Sequence, residues 1–293
     1  MLNMYNEKMI RKNKKYISPC SRANRAFTLI ELSIVLVILG LMIGGIMAVI
    51  NQEARLSKET DLKTKMDAIE KALGAFVKRN GRLPCPADGE YAVTVANFGK
   101  EGGTAGGGSC GNGATYDGSG IRTADTTPPT ANFKLGNTAG GVVPVRALGL
   151  PDEYALDPWG GRFTYAVDVR MTATSAFETY SPVDATGSFT INDGSGNARV
   201  TNGIAIFLSH GQNGHGAYQL SGIRKNAGST NANEQTNCHC TNAAVASAWA
   251  NTFVMGGNTV TTSSDLRTSF DDNLRYYTRG MLLTNSDTAT ESK

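Results

Sequence analysis

The chain has 293 residues, long enough to bury a substantial core in one large or two small domains. Charged residues make up only 18% and hydrophobic residues 40%, which excludes both a disordered polyelectrolyte and a polytopic membrane protein. The net charge of +3 hides an asymmetry: seven Lys or Arg and one acid precede Phe27, so the arm carries +6 and the rest −3. A basic arm on a slightly acidic body is not the pattern of a nucleic-acid module, which keeps its basic patch on the folded surface.

Leu32 to Ile50 are 19 residues without a charge, preceded by Phe27, Thr28, Leu29, Ile30 and the solitary acid Glu31. As a helix this run spans roughly 28 to 30 Å, enough for a bilayer core. It is too long for a secretory signal, and no small-residue cleavage site follows it. The basic arm before it places the N-terminus in the cytoplasm and the residues beyond 51 across the membrane. Gly40 and Gly44 have the small-x-x-x-small spacing of close helix contacts. Leu62, Met66, Ile69, Leu73 and Phe76 then recur at intervals of four and three, so the helix continues with one apolar stripe. Asn80-Gly81 followed by Pro84 stops it. The spacing predicts one helix over residues 27–80, with a transmembrane part (27–50) and an amphipathic part (51–80).

The junction Arg25-Ala26-Phe27-Thr28-Leu29-Ile30-Glu31-Leu32 resembles the N-terminus of type IV pilins and of the pseudopilins of type II secretion. The resemblance implies that a prepilin peptidase removes a leader (1–26) between Ala26 and Phe27 and methylates the new amino group, with Glu31 serving assembly. Ala26 stands where that family usually has Gly. Further on, Asp157-Pro158-Trp159-Gly160, the strand from Arg162, Ser209-His210-Gly211-Gln212-Asn213-Gly214 and Asp271-Asp272 follow the order of similar elements in the major pseudopilins. Those proteins hold calcium near the last two elements, which implies ligands among Ser209, Asn213, Asp271 and Asp272. Asn213 replaces an Asp of the family pattern and removes one ligand charge. No other cofactor is expected.

The extracytoplasmic part (81–293) holds 30 of the 34 glycines and is rich in Asn, Ser and Thr, a composition of loop-rich β structure. Strands are predicted at Arg162 to Val169, Ser188 to Ile191, Ile204 to Leu208 and Thr252 to Met255. A helix burying its stripe on such a small antiparallel sheet gives an α+β, pilin-like fold. Gly106 to Gly111 fits G-x-G-x-x-G, but no strand precedes it and no helix follows, so it reads as a surface loop. Ser209 beside His210 lacks the elbow of a hydrolase. The Cys238-His239-Cys240 spacing is too tight for a zinc pair, and no second pair exists to complete a site.

Cys20 departs with the leader, leaving Cys85, Cys110, Cys238 and Cys240 in an oxidising compartment and three possible connectivities. Cys85 with Cys110 is favoured because it closes a 26-residue glycine-rich loop; Cys238 then pairs with Cys240.

The expectation is therefore a non-catalytic, pilin-like subunit of an envelope filament, anchored once in the bacterial inner membrane with its body periplasmic. Its partners are other pilin or pseudopilin subunits and the prepilin peptidase. The rival is a membrane-anchored periplasmic binding module or enzyme that uses the helix only as a tether and needs neither leader cleavage nor Glu31.

Overall fold

The structure is a computed structural model that describes residues 28–102, 110, 116–117, 120–121, 134–135, 138–177, 187–244, 251–256 and 267–282. It divides into two compact units, Met1–Glu53 and Ala54–Lys293. Residues 1–26, the expected leader that ends at Ala26, and Phe27 lie outside the described residues.

The first helix, α1, runs Leu29–Asn80, within two residues of the predicted ends. Its stop is the one expected: Gly81 adopts φ +63° and donates its N–H to the carbonyl of Val77 at 2.7 Å, the left-handed turn that glycine makes without a Cβ clash. In the first unit the described apolar side chains from Leu29 to Met42 are all exposed. Among the described residues no helix is long and apolar enough to cross a membrane. The expected span (27–50) includes Phe27 and side chains 43–50, which lie outside that description.

In the second unit the amphipathic stripe works as its spacing predicts. Leu62, Met66, Ile69, Leu73 and Phe76 are all buried, in one cluster with Phe163, Tyr165, Val167, Ile206 and Phe207.

Among the described residues the β structure comprises ten short strands in chain order: β1 (Tyr116–Asp117), β2 (Gly120–Ile121), β3 (Lys134–Leu135), β4 (Thr138–Val142), β5 (Thr164–Asp168), β6 (Phe189–Asp193), β7 (Ala198–Gly203), β8 (Ala205–Ser209), β9 (Thr252–Met255) and β10 (Asn273–Tyr277). They form a five-stranded antiparallel sheet of order β10-β8-β5-β4-β3, a three-stranded sheet β7-β6-β9 and a β1-β2 ribbon. The fold is thus α+β, but the single antiparallel sheet expected is divided, and β6 pairs with β9 in parallel. A parallel pair needs a long crossover, which here contains a second helix, α2 (Ala232–Cys238).

All five residues of β5 and of β8 are buried. The polar members find partners inside: Asp168 accepts from both Arg170 and Ser188, and Thr164 Oγ1 lies 2.9 Å from His210 Nε2. In β4, Gly141 is required by close approach, because a Cβ there would sit 2.5 Å from the carbonyl oxygen of Ala87.

Candidate functional site

Two places combine unusual chemistry with defined geometry: the start of α1 and a carboxylate cluster at the end of β8. At the first, Thr28 and Glu31 form a reciprocal cap. The Glu31 N–H donates to Thr28 Oγ1 at 3.2 Å, and Glu31 Oε2 lies 3.4 Å from both the backbone nitrogen and the hydroxyl of Thr28. This is the Thr-x-x-Glu arrangement that satisfies donors at a helix start. It leaves Glu31 exposed as the acid of the first turn, ahead of an uncharged run.

The second site is built by three segments. The turn after β8 winds through Gly211 and Gly214, both at positive φ, and presents its backbone N–H groups to Asp271. Gln212 N and Asn213 N donate to Asp271 Oδ2 at 2.7 and 3.1 Å. Asp272, on the same approach to β10, is buried and accepts at Oδ2 from Asn237 Nδ2 at 2.9 Å. The third segment is α2. Its N-cap Asn231 accepts from the N–H groups of Asn233 and Glu234, which turns the Glu234 side chain inward until it is fully buried. There Asn213 Nδ2 donates to Glu234 Oε1 at 2.5 Å.

Glu234, Asp271 and Asp272 thus bring one carboxylate oxygen each to within 4.8 Å of one another. Among the described residues Glu234 Oε2, Asp271 Oδ1 and Asp272 Oδ1 accept no hydrogen bond. Such oxygens are costly to bury unless they are protonated or share a cation. Burial, with Asp271 alongside, pushes the Glu234 carboxyl up to about 8. Burial first and then the charge of Glu234 raise Asp272 well above the usual carboxylate range. The adjacent His210 cannot supply a counter-charge: burial lowers it to about 3, and its Nδ1 stands 3.8 Å from Asp272 Oδ1. Three convergent hard oxygen donors suit a divalent cation of the calcium type.

Of the residues expected as ligands, Asp271 and Asp272 lie in the cluster, and Asn213 bonds to it through Glu234. Ser209 is turned away: its hydroxyl donates to Asp157 Oδ2 at 2.6 Å. That bond also means Ser209 does not engage His210, so the pair has no hydrolase geometry. Glu234 was missed by sequence reasoning. It stands three residues after Asn231, the spacing of a capping box, which normally assigns the Glu to solvent.

Cys85 is bonded to Cys110 with Cα atoms 5.3 Å apart, and Cys238 to Cys240 at 5.2 Å. His215 lies beside the latter pair, whose sulfurs are engaged with each other.

A basic arm, a Phe-Thr-Leu-Ile-Glu-Leu junction and a capped helix with an apolar first part make the N-terminus the most distinctive stretch of the chain. Residues 21–47 match the prokaryotic N-terminal methylation motif, the signature of type IV pilins and pseudopilins. No curated protein and no solved structure matches the chain. That motif suggests a pilin-type protein processed by a prepilin peptidase and implies assembly with other pilin subunits.

Proposed function

We propose that this chain is a non-catalytic subunit of an envelope filament, a pseudopilin of type II secretion or a minor type IV pilin. The prepilin peptidase cuts between Ala26 and Phe27 and methylates Phe27. The segment 27–50 holds the subunit in the inner membrane until assembly, with residues beyond it in the periplasm. The observation that carries this reading is Glu31: an acid capping a helix whose following described side chains are apolar and exposed. A carboxylate entering an apolar bundle costs on the order of 2.5 to 3.5 kcal/mol at a helix centre, and a cation relieves it. The amino group of Phe27 in a neighbouring subunit supplies that cation. A protein using the helix as a tether has no use for either group.

Within the body, Glu234, Asp271 and Asp272 hold a divalent cation, with calcium the best match to an all-oxygen donor set. Its charge offsets the burial of the Glu234 and Asp272 carboxylates, and it ties α2 to the approach of β10. Support comes from the buried oxygens of Glu234 and Asp272 that lack hydrogen bonds.

Mass spectrometry of membrane-extracted protein tests the first reading: the mature chain begins at a methylated Phe27. A stable terminus at Met1, Met4 or Met9 refutes it. Glu31→Ala inserts normally and fails to assemble; wild-type assembly by that variant removes the proposed pairing.

A further inference from the structure

The Cys238–Cys240 bridge has a position that its sequence spacing does not reveal. We propose that this disulfide braces the carboxylate cluster, so that cation affinity and resistance of this one bridge to thiol reductants are reciprocally coupled. The inference rests on the reading of Glu234, Asp271 and Asp272 as a cation site.

The disulfide acts on both walls of the cluster. One wall is α2, seven residues long and far too short to persist alone. It carries Glu234 and Asn237. The Asn237 side chain is fixed three times: Nδ2 donates to Asp272 Oδ2 and to the carbonyl of Val254, both at 2.9 Å, and Oδ1 accepts from Val254 N at 2.7 Å. The next residue is Cys238. Beyond it His239 closes the helix in the left-handed region at φ +47°, ψ +52°, a conformation that glycine normally fills. A non-glycine residue there is strained and persists only when its surroundings enforce it. The bridge from Cys238 to Cys240 spans that residue. Cys240 N donates to the carbonyl of Gln235 at 3.1 Å, completing the closed turn.

The other wall is the turn after β8. Gly216, at φ +81°, lies against the bridge so closely that a Cβ would be 2.3 Å from Cys238 Cβ and 3.0 Å from Cys240 Sγ. One residue earlier, His215 N donates to Asn213 Oδ1 at 2.8 Å, and Asn213 Nδ2 donates in turn to Glu234. Opening the bridge releases the strained turn at His239 and the packing on Gly216 together. Both Asn237 and Asn213 then lose the supports that aim them at Asp272 and Glu234.

The redox step is simple. A small dithiol gives two electrons and two protons to the Cys238–Cys240 bond, which becomes two thiols, while the dithiol closes to its own disulfide. Because coupling is reciprocal, a bridge that strengthens cation binding by some factor is made harder to reduce, at saturating cation, by the same factor. The Cys85–Cys110 bridge is an internal reference, since none of the described cluster contacts involves it.

The test uses the full chain in detergent micelles. Calcium titration calorimetry on the oxidised protein, on Glu234→Gln and on the double variant Cys238→Ser/Cys240→Ser is expected to give binding, no binding, and binding about tenfold weaker. Equal affinity in the oxidised protein and the double variant overturns the coupling and leaves the cation site standing. Absence of calcium binding to the oxidised protein overturns both. Should the double variant fail to fold, the wild type still decides. Equilibration in reduced and oxidised dithiol buffers, followed by thiol alkylation and peptide mapping, is expected to show the Cys238–Cys240 equilibrium shifted about tenfold by calcium and Cys85–Cys110 unmoved. No shift, or the same shift at both bridges, overturns the proposal.

Discussion

Arg275 of β10 clasps Glu70 of α1: its Nη1 lies 2.7 Å from Glu70 Oε2, while Nη2 lies 2.5 Å from Asp67 Oδ1 on the preceding turn of the same helix face. One guanidinium thereby joins the edge strand of the five-stranded sheet to two points three residues apart on the helix.

That clasp is partly open to water, so its contribution is limited. Arg275→Ala is expected to lower the unfolding free energy by about 1 kcal/mol, with the difference shrinking at high salt. Chemical denaturation at two ionic strengths checks both points. Arg275→Lys should retain only part of the effect, because a single ammonium cannot reach both carboxylates in the same fork.

Two positions in the second part of α1 should respond differently to truncation. Leu73 has 0% exposure, and Leu73→Ala is expected to cost about 2 to 5 kcal/mol. Leu56 is 57% exposed, and Leu56→Ala should stay within about 0.5 kcal/mol. Parallel denaturation curves of the two variants distinguish a helix stripe buried on the sheet from the exposed positions of the same helix.

Ser209→Ala removes the hydroxyl that donates to the buried Asp157 carboxylate. Burial raises Asp157 above its usual range, and the Ser209 hydroxyl pulls it back. A carboxyl whose folded value is raised contributes stability that is fully present below its unfolded value of about 3.9 and is lost as pH rises through the folded value. Losing the hydroxyl raises Asp157 further and enlarges that loss. The variant should therefore be destabilised by about 1.5 to 3 kcal/mol at pH 7 and by much less near pH 4, read from urea unfolding at the two pH values.

Removing the first disulfide tests chain entropy directly. Cys85 and Cys110 are 25 positions apart, and Cys85→Ser/Cys110→Ser is expected to cost about 3.5 kcal/mol. A thermal melt of the variant beside the oxidised parent gives the value.

The parts of the fold that were legible in the sequence are those where burial follows a period. The stripe from Leu62 to Phe76 has helical spacing, and β5, β8 and β9 are rich in β-branched and aromatic residues, so their types and approximate ends could be read. α2, with sequence Ala-Asn-Glu-Gln-Thr-Asn-Cys, has no apolar stripe at all. It is held by Asn231, Asn237 and a disulfide, contacts that depend on the folded chain. β10 and β4 were hidden for related reasons: Asn273–Tyr277 is mostly half-buried, and β4 contains Gly140 and Gly141, residues that weaken a strand signal. The site divides along the same line. Asp271 and Asp272 were reached through the resemblance in element order to the major pseudopilins, whereas Glu234 reaches the cluster only because its helix turns it inward.

The buried stripe of α1 has a mechanical meaning as well. Leu62, Met66, Ile69, Leu73 and Phe76 lie along one line parallel to the helix axis, and Arg275 grips the same segment at Asp67 and Glu70. A tug directed along that axis loads all of these contacts in shear at once, so none can be peeled away before the others. A body built this way resists withdrawal of that helix segment along the whole buried stripe together, as a nail resists pulling, rather than one contact at a time.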